Sequence, residues 1–231
     1  MAKTNSSHAA VPAPANLSAA FRIRQVQPTD NESIDLTTEL HMELLSFGPM
    51  AQFGDKVIRE TIYAPAVAAN LLQVAIAEID GRAAGFVAYT TKPHDFHTKL
   101  LRKSFLKAAW ALSLALLTHP GRVRHLPRAF KVIFSRSALP NTVAEANTEV
   151  VCFGVRPEYL TPAFVRQTGL RVGVLLLEHA FDYFRQNGFH DTRMIVDADN
   201  PRALLFYQSL GAELTACTFS GVPSYVVHFT F

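Results

Sequence analysis

The fold class this sequence predicts is α/β (α+β): a mixed sheet of about six or seven strands with flanking helices. Three observations predict it. Short apolar runs rich in β-branched residues alternate with segments of helical periodicity. Antiparallel hairpin signals stand towards both ends of the chain, and a strand–helix–strand–helix run lies between them. The 231 residues are 49% hydrophobic, enough for one good-sized core. The expected organisation is a disordered tail at 1–20, then a single domain at 21–231 carrying a helical insertion at 96–140 between the third and fourth strands.

The elements follow in order. Residues 1–20 are small and polar with two prolines and lack the apolar core of a signal peptide. Residues 21–26, FRIRQV, alternate apolar and polar as a first strand does. Pro28-Thr29-Asp30 opens a helix to about Phe47, with Ile34, Leu36, Leu40, Leu44 and Leu45 at near-helical spacing. A second helical piece at about 53–69 is interrupted by Pro65. Asp80-Gly81 is a hairpin turn between strands at about 71–79 and 83–91. Residues 99–117 are helical, with Leu101, Phe105, Ala108, Leu112 and Leu116 on one face. His119-Pro120-Gly121 ends that helix, and a shorter basic helix follows at about 123–135.

Residues 148–155 form a strand ended by Pro157. Residues 168–189 read as a glycine-containing loop entering a long amphipathic helix that stops at Asn187-Gly188. Met194-Ile195-Val196 is a short buried strand. Asn200 then serves as N-cap, Pro201 as first helical residue and Gly211 as the C′ residue. ELTACTF and YVVHFTF, joined by SGVPS, form a closing hairpin.

The net charge of +3 conceals an asymmetry. Between Phe96 and Ala144 there is no Asp or Glu, yet nine of the 22 Lys and Arg residues fall there. The rest of the chain carries 13 basic against 19 acidic side chains, a net of −6. The basic segment has three readings. It is a lid over a binding site that attracts anionic groups, a helical pair packed on the sheet edge or on a homodimer partner, or a peripheral attachment to anionic membrane. Its apolar stretch, 105–117, is too short to span a bilayer. Nothing resembles a nucleic-acid reading module. Two cysteines, Cys152 and Cys217, form no disulfide framework and point to a reducing cytoplasmic setting.

The strand-to-helix unit at 192–212 carries the chemistry. Tyr207 lies seven residues after Asn200, so two helical turns bring both to one face, roughly 10 Å apart. The run Asn200-x-x-Ala203-x-x-x-Tyr207-x-x-x-Gly211-Ala212 resembles a motif of the GNAT superfamily of acyl-CoA N-acyltransferases. The resemblance covers about 21–95 and 146–231 and implies the GNAT fold, with Asn200 contacting the coenzyme and Tyr207 protonating the departing thiolate. Thr168-Gly169-Leu170-Arg171-Val172-Gly173 is in register with the family's phosphate loop, although Arg171 replaces its middle glycine and Thr168 its leading Arg or Gln. Arg166 and Gln167 are alternative phosphate-loop side chains. The strand from Glu149 to Val155 resembles the family's fourth strand. That likeness implies Glu149 as general base and the main chain at Phe153 and Val155 as a hold on the pantetheine arm.

An attacking amine must be neutral, yet a lysine-like amine with a pKa near 10.4 is protonated at pH 7, so a carboxylate base is needed. A phenol with an ordinary pKa near 10 is a reasonable donor to the thiolate. Each residue also has a plain reading. Tyr207 suits the edge of a core, Glu149 a solvated strand start, Asn200 a helix cap alone, and Gly169 and Gly173 loop and packing positions. Cys152 reads as a small core residue. His94-Asp95-Phe96-His97 offers two metal-type ligands with no partner cluster, and no metal is expected.

The expected activity is acetyl transfer from acetyl-CoA to a primary amine of a small molecule or amino sugar. The alternatives are a longer-chain acyl-CoA transferase, or a catalytically weak acyl-CoA-binding or membrane-surface module.

Overall fold

The computed structural model describes residues 20–48, 50–127, 129 and 146–231. His94, Asp95, His97, Thr98, Leu101, Lys103 and Ser104 are described by backbone alone. The N-terminal tail and most of the expected second basic helix lie outside the described residues.

Seven strands form one sheet in the order β1-β2-β3-β4-β5-β7-β6. They are β1 (Phe21–Gln25), β2 (Gln73–Ile79), β3 (Arg82–Thr90), β4 (Glu149–Val155), β5 (Asp191–Asp197), β6 (Glu213–Phe219) and β7 (Val222–Thr230). Every neighbouring pair is antiparallel except β4 and β5. Asp80-Gly81 makes the first hairpin turn as expected, both residues having positive φ. The closing hairpin is tighter than expected. Ser220-Gly221 alone form its turn, also at positive φ, so Val222 and Pro223 of the expected SGVPS loop already belong to β7.

Helices cover both faces. α1 (Asn31–Leu44) starts where Asp30 accepts a bond from the Ser33 N–H. Its buried Thr37 and Thr38 hydroxyls donate to the carbonyls of Ser33 and Ile34, so neither is left unsatisfied. The second helical piece is broken in a specific way. α2 (Asp55–Ile58) passes into a π turn (Arg59–Tyr63) and then α3 (Ala64–Ala68). The Ala64 N–H bonds Arg59 O, five residues back, directly before Pro65, which has no N–H to give. α1, the π turn and α3 enclose one core with Ile34, Leu40, Ile58, Tyr63, Val67 and Phe86.

On the other face, α6 (Val172–Gln186) lies along the sheet and α7 (Pro201–Ser209) follows β5. α6 buries Leu176, Leu177, Phe181 and Phe184 against Val87, Tyr89, Met194, Val227 and Phe229. Each such side chain removed from water contributes about 1.5–3 kcal/mol. A short helix that the sequence reading did not separate from a loop, α5 (Pro162–Thr168), precedes α6. Its start is ordinary, with Thr161 accepting a bond from Phe164 N–H and Pro162 at the first position.

The insertion begins earlier than its apolar pattern indicated. α4 runs over Pro93–Thr118, opened by Pro93, and Pro120–His125 continues as a 3-10 turn. Ala111 and Ala115 pack on Phe53 and Val57 in a small separate core.

β3 and β4 approach closely because of glycine. A Cβ on Gly85 would stand 2.5 Å from the Gly154 carbonyl oxygen and 2.9 Å from Val155 Cα. Gly85→Ala is therefore expected to cost about 1–3 kcal/mol through overpacking and to lower Tm by about 2–12 °C. Gly121→Ala, with nothing within 4 Å of its Cβ, should leave Tm unchanged. Thermal melts of the two variants check this.

The core of the α1 face also contains a titratable contact, His41 Nδ1 to Tyr63 OH at 2.8 Å. Burial pushes the His41 pKa down from 6.5 to about 4. The unfolded chain takes up this proton below about 6.5 and the folded chain only below about 4, so acidification through that window favours unfolding. The expected loss reaches about 3 kcal/mol at pH 4. Chemical denaturation of wild type and His41→Gln between pH 7 and 4 should show a shallower pH slope in the variant.

Candidate active site

The ladder between β4 and β5 consists of one pair, Glu149 opposite Arg193. Arg193 N–H donates to Thr148 O at 3.2 Å, and the Thr148 hydroxyl donates to Asp191 O at 2.5 Å. Beyond this point the two strands share no further rung among the described residues. β4 stays paired to β3 up to Gly85–Val155, so its other edge, from Val151 onward, is a row of peptide groups without a strand partner inside the sheet. This opening is a wedge whose vertex is Glu149–Arg193.

A β-bulge sets which side chains line it. Register passes from Ala88–Cys152 to Tyr89–Val150, leaving Val151 as the extra residue. Val151 and Cys152 pack on the α1 side, whereas Phe153 and Val155 pack on the α6 side. There Phe153 stacks on Phe206 at 6.2 Å between centroids and lies 6.4 Å from the Tyr207 ring. Gly173, in the first turn of α6, faces both phenylalanines. A Cβ there would come 3.3 Å from Phe153 Cζ and 3.4 Å from Phe206 Cζ. The wedge thus joins the β4 edge, the start of α6 and the inner face of α7.

The start of α6 suits an anion. α5 ends on Gly169, in the left-handed region at φ 72°, and the chain reverses through Leu170 and Arg171. Arg171 is the N-cap residue but provides no side-chain cap bond, so the first-turn N–H groups have no capping acceptor. Arg171 itself is exposed, while Val172 and Gly173 are buried. Thr168 has a structural duty: its hydroxyl donates to Phe164 O at 2.8 Å and accepts from Leu170 N–H at 3.1 Å, which shapes the reversal. Arg166 and Gln167 are exposed on the last turn of α5.

Asn200 is the N-cap of α7, its side-chain oxygen accepting from Ala203 N–H at 3.1 Å, which leaves its amide N–H groups for another partner. Tyr207 is 6% exposed, and burial pushes its pKa well above the ordinary phenol value. Among the described residues none hydrogen-bonds its hydroxyl. At neutral pH it is an intact O–H donor at the apolar side of the wedge.

Glu149 is not a solvated carboxylate. Its Oε2 accepts from Arg193 Nε at 3.0 Å, with side-chain exposures of 17% and 6%. The sequence reading missed Arg193. The signal was available, since an arginine inside the apolar strand of 192–196 must find an anion when buried. It also missed Phe206, directly before Tyr207, and His228, which stands on β7 opposite Arg193 of β5 and bonds Asp191 Oδ2 at 3.4 Å. Among the described residues no three His, Cys, Asp or Glu side chains gather as a metal site. Cys152 keeps its proton, burial pushing its pKa up to about 11.

The overall architecture resembles that of solved structures. The chain resembles SsHAT with a TM-score of 0.56 at 16% identity, covering 91% of this chain and 98% of that one. A putative acetyltransferase of the GNAT family from Desulfovibrio desulfuricans gives a TM-score of 0.52 at 12% identity, over 92% of this chain and 99% of that one. The chain has the GNAT fold. The PaiA N-acetyltransferase from Thermoplasma acidophilum, solved in complex with coenzyme A, gives 0.50 at 13% identity, again over 92% and 99%. No family model matches the sequence, and no curated protein matches it. The GNAT likeness here is one of architecture.

The vertex pair has a measurable weight. Arg193→Met leaves the Glu149 carboxylate without its guanidinium and should cost about 3 kcal/mol. Urea denaturation of Arg193→Met, Glu149→Leu and the double variant should find the double variant more stable than the sum of the two losses predicts.

Proposed function

We propose that this chain is an N-acetyltransferase that moves an acetyl group from acetyl-CoA to the primary amine of a small molecule or amino sugar by direct transfer. One observation carries the reading: an unpaired strand edge lies beside an uncapped helix N-terminus and a buried phenol. An extended amide-bearing arm fits the first, a pyrophosphate the second and a leaving sulfur the third. The complex of PaiA with coenzyme A, on the same fold, supports this choice of coenzyme.

Bound acetyl-CoA supplies an activated thioester. The main chain at Phe153 and Val155 would hold its pantetheine arm. The N–H groups of Arg171, Val172 and Gly173 would receive the pyrophosphate, with Gly169 and Leu170, whose N–H groups bond Val165 O and the Thr168 hydroxyl, shaping the loop that Thr168 fixes, and Arg171 adding charge. Asn200 offers its free amide N–H. Glu149, at the vertex, takes the amine proton directly or through water, and Arg193 positions its carboxylate. Tyr207 donates to the sulfur. Burial raises its pKa above the ordinary 10, while a thiol sits near 8.5, so the phenol stabilises the departing sulfur by a hydrogen bond rather than by losing its proton outright.

Thiol release from acetyl-CoA is followed across an amine panel. Tyr207→Phe should lower kcat about a hundredfold, as for other preorganised donors. Glu149→Gln should lower it by a similar factor. The raised Tyr207 pKa keeps the phenol protonated through the alkaline range, so no loss of activity from this group is expected up to about pH 10. Full activity in both variants contradicts the assignment. Loss in His228→Gln but not in Glu149→Gln transfers the base to β7.

A further inference from the structure

We propose that the outward face of α4 is a docking surface for an anionic lipid bilayer. This inference rests on the insertion alone and stands apart from the acyl-transfer reading.

α4 has two unlike faces. Ala111 and Ala115 point inward and are buried against Phe53 and Val57, the small side chains letting the helix lie close. The opposite face carries Leu106, Trp110 and Leu117, spaced four and seven residues apart and therefore aligned in one stripe. They are 81%, 70% and 81% exposed. Of the eight large hydrophobic side chains exposed among the described residues, five lie between Phe105 and Val123. Single exposed apolar residues need no explanation, but a concentrated stripe marks an interaction surface.

Charge selects the occupant. Arg102 lies four residues before Leu106 and is exposed beside the stripe, and Arg124 is exposed on the 3-10 turn after the helix, whereas Lys107 lines a hollow with Arg59 and Glu60. The whole stretch from Phe96 to Ala144 contains no acidic residue. A second copy seated on this face would bring the same cations against themselves, because a two-fold contact pairs like patches. An anionic bilayer satisfies both features: its headgroup–acyl boundary takes the leucines and the tryptophan, and its phosphates take the guanidinium groups. The remainder of the chain, with 13 basic and 19 acidic side chains, is repelled by the same surface, so the protein is oriented with α4 against the lipid. No described helix is long and apolar enough to cross a membrane, so α4 lies in the interface plane.

Trp110 is the chain's one tryptophan, so its emission reports on this face alone. The full chain is titrated with phosphatidylcholine vesicles with and without phosphatidylglycerol, following Trp110 emission, quenching by brominated lipid and co-sedimentation. The expected result is a blue shift, lipid quenching and pelleting with the anionic vesicles only, reversed by salt. Arg102→Gln and Arg124→Gln should each weaken binding about fivefold. Leu106→Glu with Leu117→Glu should abolish it while leaving the circular dichroism melt unchanged, since both side chains are exposed. Equal binding to neutral vesicles, no binding to either, or unchanged binding in the double Glu variant overturns the proposal. So does Trp110 emission that is already blue-shifted and shielded from aqueous quenchers without lipid. Concentration dependence of that shielding would then assign the face to a second copy, and its absence to another segment of the same chain.

Discussion

Everything particular to this molecule depends on where the pairing of β4 with β5 stops. A parallel pair inside a sheet ordinarily continues along the strands, because an unmatched peptide group away from water costs about 1–3 kcal/mol. Here one rung forms, Glu149 opposite Arg193, and the strands then part. The ion pair holds the closed end. The aromatic cluster of Phe153, Phe206 and Tyr207 fills one side of the open end. Between them β4 presents a strand edge with the hydrogen-bonding capacity of a sheet and no strand to use it.

Several local features follow from keeping that opening. The bulge at Val151 turns Phe153 and Val155 towards α6 and Cys152 towards α1, so the two sides of β4 serve different cores. Gly173 lets α6 begin against the phenylalanines. α5 and the left-handed Gly169 bring the chain back so that α6 starts with its first-turn N–H groups uncapped. Arg156, at the end of β4, donates to Ala83 O at 2.8 Å and pairs with Glu43 of α1 at 2.7 Å, fixing the outer end of the strand. The wedge is therefore braced at both ends of β4 and free along its length.

The order of strands and most helices was legible in the sequence because each carried a local physical signal. Asp80-Gly81, Asn200-Pro201 and Gly211 specify backbone geometry by themselves, and the structure uses Asp80-Gly81 as a turn and Asn200 as a cap. The candidate site was legible where it coincided with such signals, as at Gly169, Gly173, Asn200 and Tyr207. It was not legible where a residue's role depends on a distant partner. Glu149 reads as a solvated strand start until Arg193, 44 residues away, is found beside it. The π turn needs Pro65 and its surrounding core together, and α5 is too short to show periodicity. Phe206 gains its place from Phe153, which no spacing within either segment predicts. The insertion shows the same limit: its pattern gave a helix, but which face is covered is decided by Phe53 and Val57.

The central claim is that the unpartnered edge of β4 is a place where coenzyme A is received. Backbone hydrogen exchange at residues 151–155 and 172–174, with and without coenzyme A, tests it most directly. Amides on an open edge and at an uncapped helix start exchange readily, whereas amides bonded to a ligand are protected. The account predicts slowing of at least about tenfold in both segments on saturation, with β2 and β7 unchanged. Saturable binding that leaves both segments at their free rates would contradict it.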